Sequence, residues 1–269
     1  MSGIRWWHDL TRIEAAEAVK VDPVVVLPVA ATEQHGPHLP LSTDADIGLG
    51  ILDAAFQRLD PEGPDVFALP MLRVGTSEEH LDAVGTLSVP PRTLEETVVG
   101  IGSALARAGV RRLVLSNSHG GNRGTLDLAA LSLRRSRRML VVKAHSFRFP
   151  RPPDVELPES EWKHGLHGGA VETALMLHLR PDAVREDRIA RFRSLAEELE
   201  GALDHLGPEG TASFAWISGD LDRRGVVGDA TLADATMGER LVTGYGAFLA
   251  AVIRDAAVFP LGRLAAEDP

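Results

Sequence analysis

The sequence predicts an α/β fold in which a largely parallel sheet is covered by helices. Two observations carry this. Val24–Val29 is a continuous β-branched run, the mark of a strand buried on both faces. Further short apolar runs at 65–69, 112–116 and 140–145 alternate with longer stretches whose apolar residues recur at helical spacing.

The elements follow in order. Helices are expected over 47–59, 94–108, 124–135, 170–179 and 238–257. Thr93 and Glu96 stand like a capping box at the start of the second. The Pro-, Glu- and Trp-rich stretch 147–163 reads as a loop over one face. No repeat or long linker divides the chain, so residues 1–269 read as a single domain.

Composition narrows the function. A hydrophobic share of 44% is ordinary for a globular chain and argues against disorder. The apolar runs read as too short to cross a bilayer, and the N-terminus lacks the apolar stretch of a leader, so a cytoplasmic protein is expected. With no cysteine, thiolate metal sites, disulfides and a cysteine nucleophile are excluded, and any metal must sit on imidazole and carboxylate. A net charge of −10 argues against a nucleic-acid partner. The one basic cluster, at 134–138, reads as the solvated last turn of a helix.

The chemistry concentrates in loops. Glu33 and His35, just after the first strand, point to one side if the segment is extended. The Gly36-Pro37 and Leu39-Pro40 steps then turn the chain and could return Asp44 to them. That donor set suits Zn²⁺ or Mn²⁺. The plainer alternative is that the two acids cap turns and His35 is an ordinary loop histidine. Asp46 competes with Asp44 but fits the first helical turn better.

A second loop, 116–124, holds His119 as a further ligand, with Gly120 and Gly121 allowing a substrate to approach the backbone. It lacks the spacing of a phosphate-binding glycine loop. A third, 164–172, holds Glu172 as a ligand candidate and His167 as a proton carrier, with His164 as competitor. Alternatively, Glu172 only complements the helix dipole. A fourth, from Gly75 to His80 and on to Gly85-Thr86, has the same flavour and could line the pocket. No Gly-x-Ser-x-Gly elbow is present, so a serine nucleophile is not expected.

These motifs together resemble the creatininase family. The resemblance runs from Pro28 to Asp44, through 75–86, 117–122 and 167–177, and into 225–231. It implies a three-layer α/β fold, a homohexamer and a two-metal site for hydrolysing carbon–nitrogen bonds. By position, Glu33 and His119 would bind one ion, His35 the other, and Asp44 would bridge them. Two departures stand out. Creatinine hydrolases carry a metal-binding Glu where this chain has Gly121, and a Glu where it has Leu166. Glu172 is therefore expected as the remaining ligand, and Trp162 loosely parallels a lid tryptophan.

The expected function is hydrolysis of a small-molecule amide or formamide, with two divalent ions, Zn²⁺ first and Mn²⁺ or Fe²⁺ next, activating water. The alternatives are a peptidase trimming a short peptide of the mycofactocin-precursor type and a non-catalytic metal or metabolite binder.

Overall fold

A computed structural model describes residues 3–264; Met1 and Ser2 of the N-terminal stretch read above lie outside it. Four strands form one parallel sheet in the order β2-β1-β3-β4: β1 Val24–Val29, β2 Val66–Ala68, β3 Arg112–Asn117 and β4 Leu140–His145. The helices are α1 Arg12–Ala18, α2 Thr43–Phe56, α3 Pro91–Ala108, α4 Arg123–Arg137, α5 Glu159–His164, α6 Ala170–Leu179, α7 Leu195–Glu198, α8 Ser218–Leu221 and α9 Ala235–Val258. Two small pairs complete the structure: β5 Arg191–Phe192 with β8 Gly228–Asp229, and β6 Leu206–Gly207 with β7 Ala212–Ser213.

Strand alternation builds the layers. Val24 and Val26 point to one face, where they pack with residues of α2, α6 and α9. Val25, Leu27 and Val29 point to the other, against α3 and α4. All six residues of β1 are buried, as a strand covered on both sides requires.

Three expectations need correction. The capping box at Thr93 does not form: α3 opens on Pro91 after Pro90, with no side-chain cap. Thr93 lies inside the first turn, and the N-cap residue, Pro90, has no side-chain oxygen to accept from the free N–H groups. A capping box does close α1, where Thr11 and Glu14 bond each other's backbone N–H. The 147–163 stretch is not all loop, since α5 begins at Glu159 behind Pro158. Finally, α9 is long and apolar enough by composition to span a bilayer. Here it is a core helix, burying Leu241, Leu249 and Ile253 in the α2–α6 layer.

The chain crosses from β1 to β2 on one side and then from β2 back past β1 to β3 on the other. The carboxyl ends of β1 and β3 thus flank a crevice, where open α/β sheets receive ligands. The 30–44 and 118–122 loops emerge there.

Candidate metal centre

The loop after β1 returns on itself. Bridges pair His35 with Pro37 and with Leu39, and the Glu33 N–H donates to the Leu41 carbonyl (3.1 Å). This sets Glu33, His35 and Asp44, the last in the first turn of α2, at one buried point. Asp46 points elsewhere, accepting from Ser42 Oγ (2.8 Å) near Arg180.

Asp44 divides its carboxylate between two histidines. Oδ1 lies 3.4 Å from His35 Nε2, and Oδ2 lies 3.3 Å from His119 Nδ1. His35 Nε2 is 3.7 Å from Glu172 Oε2, while His119 Nδ1 is 3.2 Å from Glu33 Oε1. Among the described residues three overlapping donor groups result, His35–Asp44–Glu172, Glu33–Glu79–His119 and Glu33–His35–His167, and Asp44 Oδ2 also reaches His119. Both Glu33 oxygens, Asp44 Oδ2 and His35 Nε2 are buried without a hydrogen-bond partner. Such groups are costly in isolation and belong where a cation completes them. The donor set therefore fits divalent ions.

The electrostatics agree. Burial pulls the His35 imidazole down, but the Asp44 carboxylate overrides it and lifts the ring to about 9. His119 is likewise held well above the usual histidine range, by Glu33 against burial. Asp44 is kept well below the carboxylate range, by His35 against burial. The protons on these imidazoles are those that a divalent ion would displace.

His167 stands above this cluster. Its Nε2–H donates to the Gln34 carbonyl (2.8 Å), leaving Nδ1 3.8 Å from Glu33 Oε1. Burial, then the charge of His35, lowers its pKa, so the ring is neutral near pH 7. The Val227 N–H holds the His167 carbonyl (2.8 Å). His164 is buried but faces Glu200 (3.5 Å), away from the cluster. His80 Nε2 lies 3.4 Å from Glu33 Oε1 and its Nδ1 accepts from Gln34 Nε2 (2.9 Å).

A cavity of about 550 Å³ opens over the centre. Glu33, Asp44, His119, Glu172 and His167 line its floor, as do Gly120, Gly121 and Leu166. Trp162 lines it from α5, with the Arg151 guanidinium over its ring (4.8 Å). The 75–80 loop lines the cavity as the sequence suggested, through Glu79 and His80, though no local pattern assigned Glu79 a role; Glu161 and the strap bearing Phe214 and Trp216 were missed. Glu161 is buried and accepts from the backbone N–H groups of Ala170 and Asp229 (both 2.7 Å). Its pairing with glycine-flanked turns was the one signal available. Nothing marked the strap.

Comparison with known proteins gives the class. The creatininase family, described as creatinine amidohydrolase, matches residues 8–253. A mycofactocin precursor peptide peptidase of Mycolicibacterium smegmatis is 32% identical over 222 residues, covering 81% of this chain and 79% of that protein. A solved structure titled "Creatininase Mn" has a TM-score of 0.73 at 28% identity, covering 94% of this chain and 98% of that one. A creatininase variant described as Zn-Zn type has a TM-score of 0.71 at 28% identity, covering 93% and 97%. The chain belongs to the creatininase family of metal-dependent amidohydrolases.

Proposed function

We propose that this protein hydrolyses an amide carbon–nitrogen bond at a centre of two divalent ions held by Glu33, His35, Asp44, His119 and Glu172. The observation that carries the reading is Asp44, whose two oxygens face two histidines amid unpartnered buried donors. Imidazole and carboxylate suit Zn²⁺ first, with Mn²⁺ and Fe²⁺ as alternatives. When bound, such ions activate water and stabilise negative charge on a carbonyl oxygen.

The chain's own residues do the rest. Glu33 and Asp44 offset the ionic charge. His167 Nδ1, unprotonated and facing the cavity floor, would take a proton from the attacking water and pass it to the departing nitrogen. Gly120, with nothing in its side-chain direction, leaves room for substrate, the Gly121 backbone lines the floor, and Trp162 walls one side.

A small-molecule amide or formamide is the first substrate reading. A peptide terminus is the second, favoured by a cavity of about 550 Å³, roomy for a small cyclic amide and well within the range for ligands of peptide-fragment size. A homo-oligomer, hexameric by family resemblance, is the expected assembly; a 29 kDa species in light scattering would contradict it. The central test is chelation. Metal-free protein should lose turnover of formamides, cyclic amides and short peptides, and Zn²⁺ or Mn²⁺ should restore it. Full activity after thorough chelation would sink the proposal, and metal binding without turnover on that panel would favour a non-catalytic binder.

A further inference from the structure

We propose that Glu79 is a positioning residue for His119, and that residue 121 is glycine because the His119 ring, the Thr76 carbonyl and the Glu79 carboxylate together fill its side-chain space. The inference rests on the metal-centre reading above.

The two ring nitrogens of His119 face opposite ways. Nδ1 looks toward Glu33 and Asp44. Nε2 looks into the loop before α3, where three successive features enclose it. It donates to the Thr76 carbonyl (2.8 Å), with Ser77 Oγ at 3.3 Å and Glu79 Oε1 at 3.4 Å. The carbonyl fixes the tautomer, with hydrogen on Nε2 and the lone pair on Nδ1. A carboxylate behind the ring then adds negative potential there and makes Nδ1 a stronger donor, the usual outer partnership of a metal-binding histidine.

Space explains the glycine. A Cβ on residue 121 would stand 2.4 Å from Glu79 Oε1, 2.5 Å from His119 Nε2 and 2.6 Å from the Thr76 carbonyl oxygen. One of these is backbone and one is a ring fixed by its own hydrogen bond, so neither can give way. Gly121 thus serves the back of His119 as well as the cavity floor. Glu79 sits in the short turn Glu78–His80, its side chain about one-fifth exposed toward the cavity. Burial keeps its pKa above the usual carboxylate range.

The test uses Glu79→Gln, which keeps size and removes charge, in the full-length protein. Zinc affinity is measured by competition with a chromogenic chelator, and melting is followed on chelated protein. The expected result is unchanged melting and a 10–100-fold weaker affinity for one zinc equivalent. The same loss should persist in a Glu172→Gln background, where the His119 end is the intact one. Unchanged zinc affinity, or a loss that vanishes in that background, would overturn the role of Glu79. Wild-type protein that binds no zinc would instead overturn the metal centre itself.

Discussion

The floor and the roof of the cavity are built by different means. On the floor, Glu33, His35, Asp44 and His119 are 0–4% exposed and hang from strand ends or a helix start that the sheet holds. The roof, residues 199–217, contains only the two-residue strands β6 and β7. Polar contacts tie it down: Lys163 with Glu200, Arg123 with Glu209 (3.6 Å), and the Trp216 indole N–H to the Pro208 carbonyl (3.1 Å). Leu203, Leu206 and Ile217 remain exposed on it. Chemistry needs donors fixed to fractions of an ångström; substrate selection tolerates a wall with play. The difference predicts that floor changes abolish activity and roof changes tune it.

Asp44→Asn should have the largest effect. Losing the shared carboxylate weakens both ions, so activity should fall by more than the roughly 10–100-fold typical of outer partners. Elemental analysis should find less than one ion per chain; two retained ions would refute the bridging role. Next comes His167→Ala, with metals intact and turnover down by about 10²–10⁴-fold. Metal loss in that variant would make His167 a ligand, consistent with its nearness to Glu33 and His35. The His164→Ala control should leave turnover near normal, because that ring faces Glu200.

Roof changes come third. Trp216→Ala should raise KM by about ten-fold, the scale of one lost aromatic contact, with kcat nearly unchanged. An equal fall in kcat would mean that the roof takes part in the chemistry. Breaking the Arg123–Glu209 pair should change KM by less than about five-fold, since both side chains are substantially exposed.

The smallest effect concerns stability. Burial, then the charge of His35, lowers the His38 imidazole to about 4. The unfolded chain takes up this proton near 6.5 and the folded one does not. Stability therefore falls as pH drops from about 6.5 toward 4, with a slope of up to about 1.4 kcal/mol per pH unit from this group. Denaturation of chelated protein should show it, and His38→Gln should flatten part of the slope. An unaltered slope in that variant would place the acid sensitivity elsewhere.

What the sequence made legible follows the same division. Floor residues sit in compact stretches, 33–44 and 119–122, so local spacing and chain reversal brought them together on paper. The four main strands were readable because each carries a short apolar run. The roof was silent: its contacts join residues 123 and 209, or 163 and 200, across distances that no local pattern records. Glu79 lay in a loop that the sequence placed at the pocket, but its role was not readable. An acid in a turn looks ordinary until it is seen to share, with the His119 ring and the Thr76 carbonyl, the space that a side chain at 121 would need.

One helix contact bears on how the centre is made. Gly238 of α9 approaches α6 so closely that a Cβ there would lie 1.9 Å from the Ala174 carbonyl oxygen. The same helix packs on α2. Asp44 and Glu172 thus ride on two helices clamped by a third that is synthesised after every donor. As domains fold during synthesis from the N-terminal side, the nascent chain displays all its acids and imidazoles before it can hold them in register. On the donor set proposed above, loading would follow synthesis of α9. Chains truncated before residue 235 should emerge from expression without metal, whatever the medium supplies.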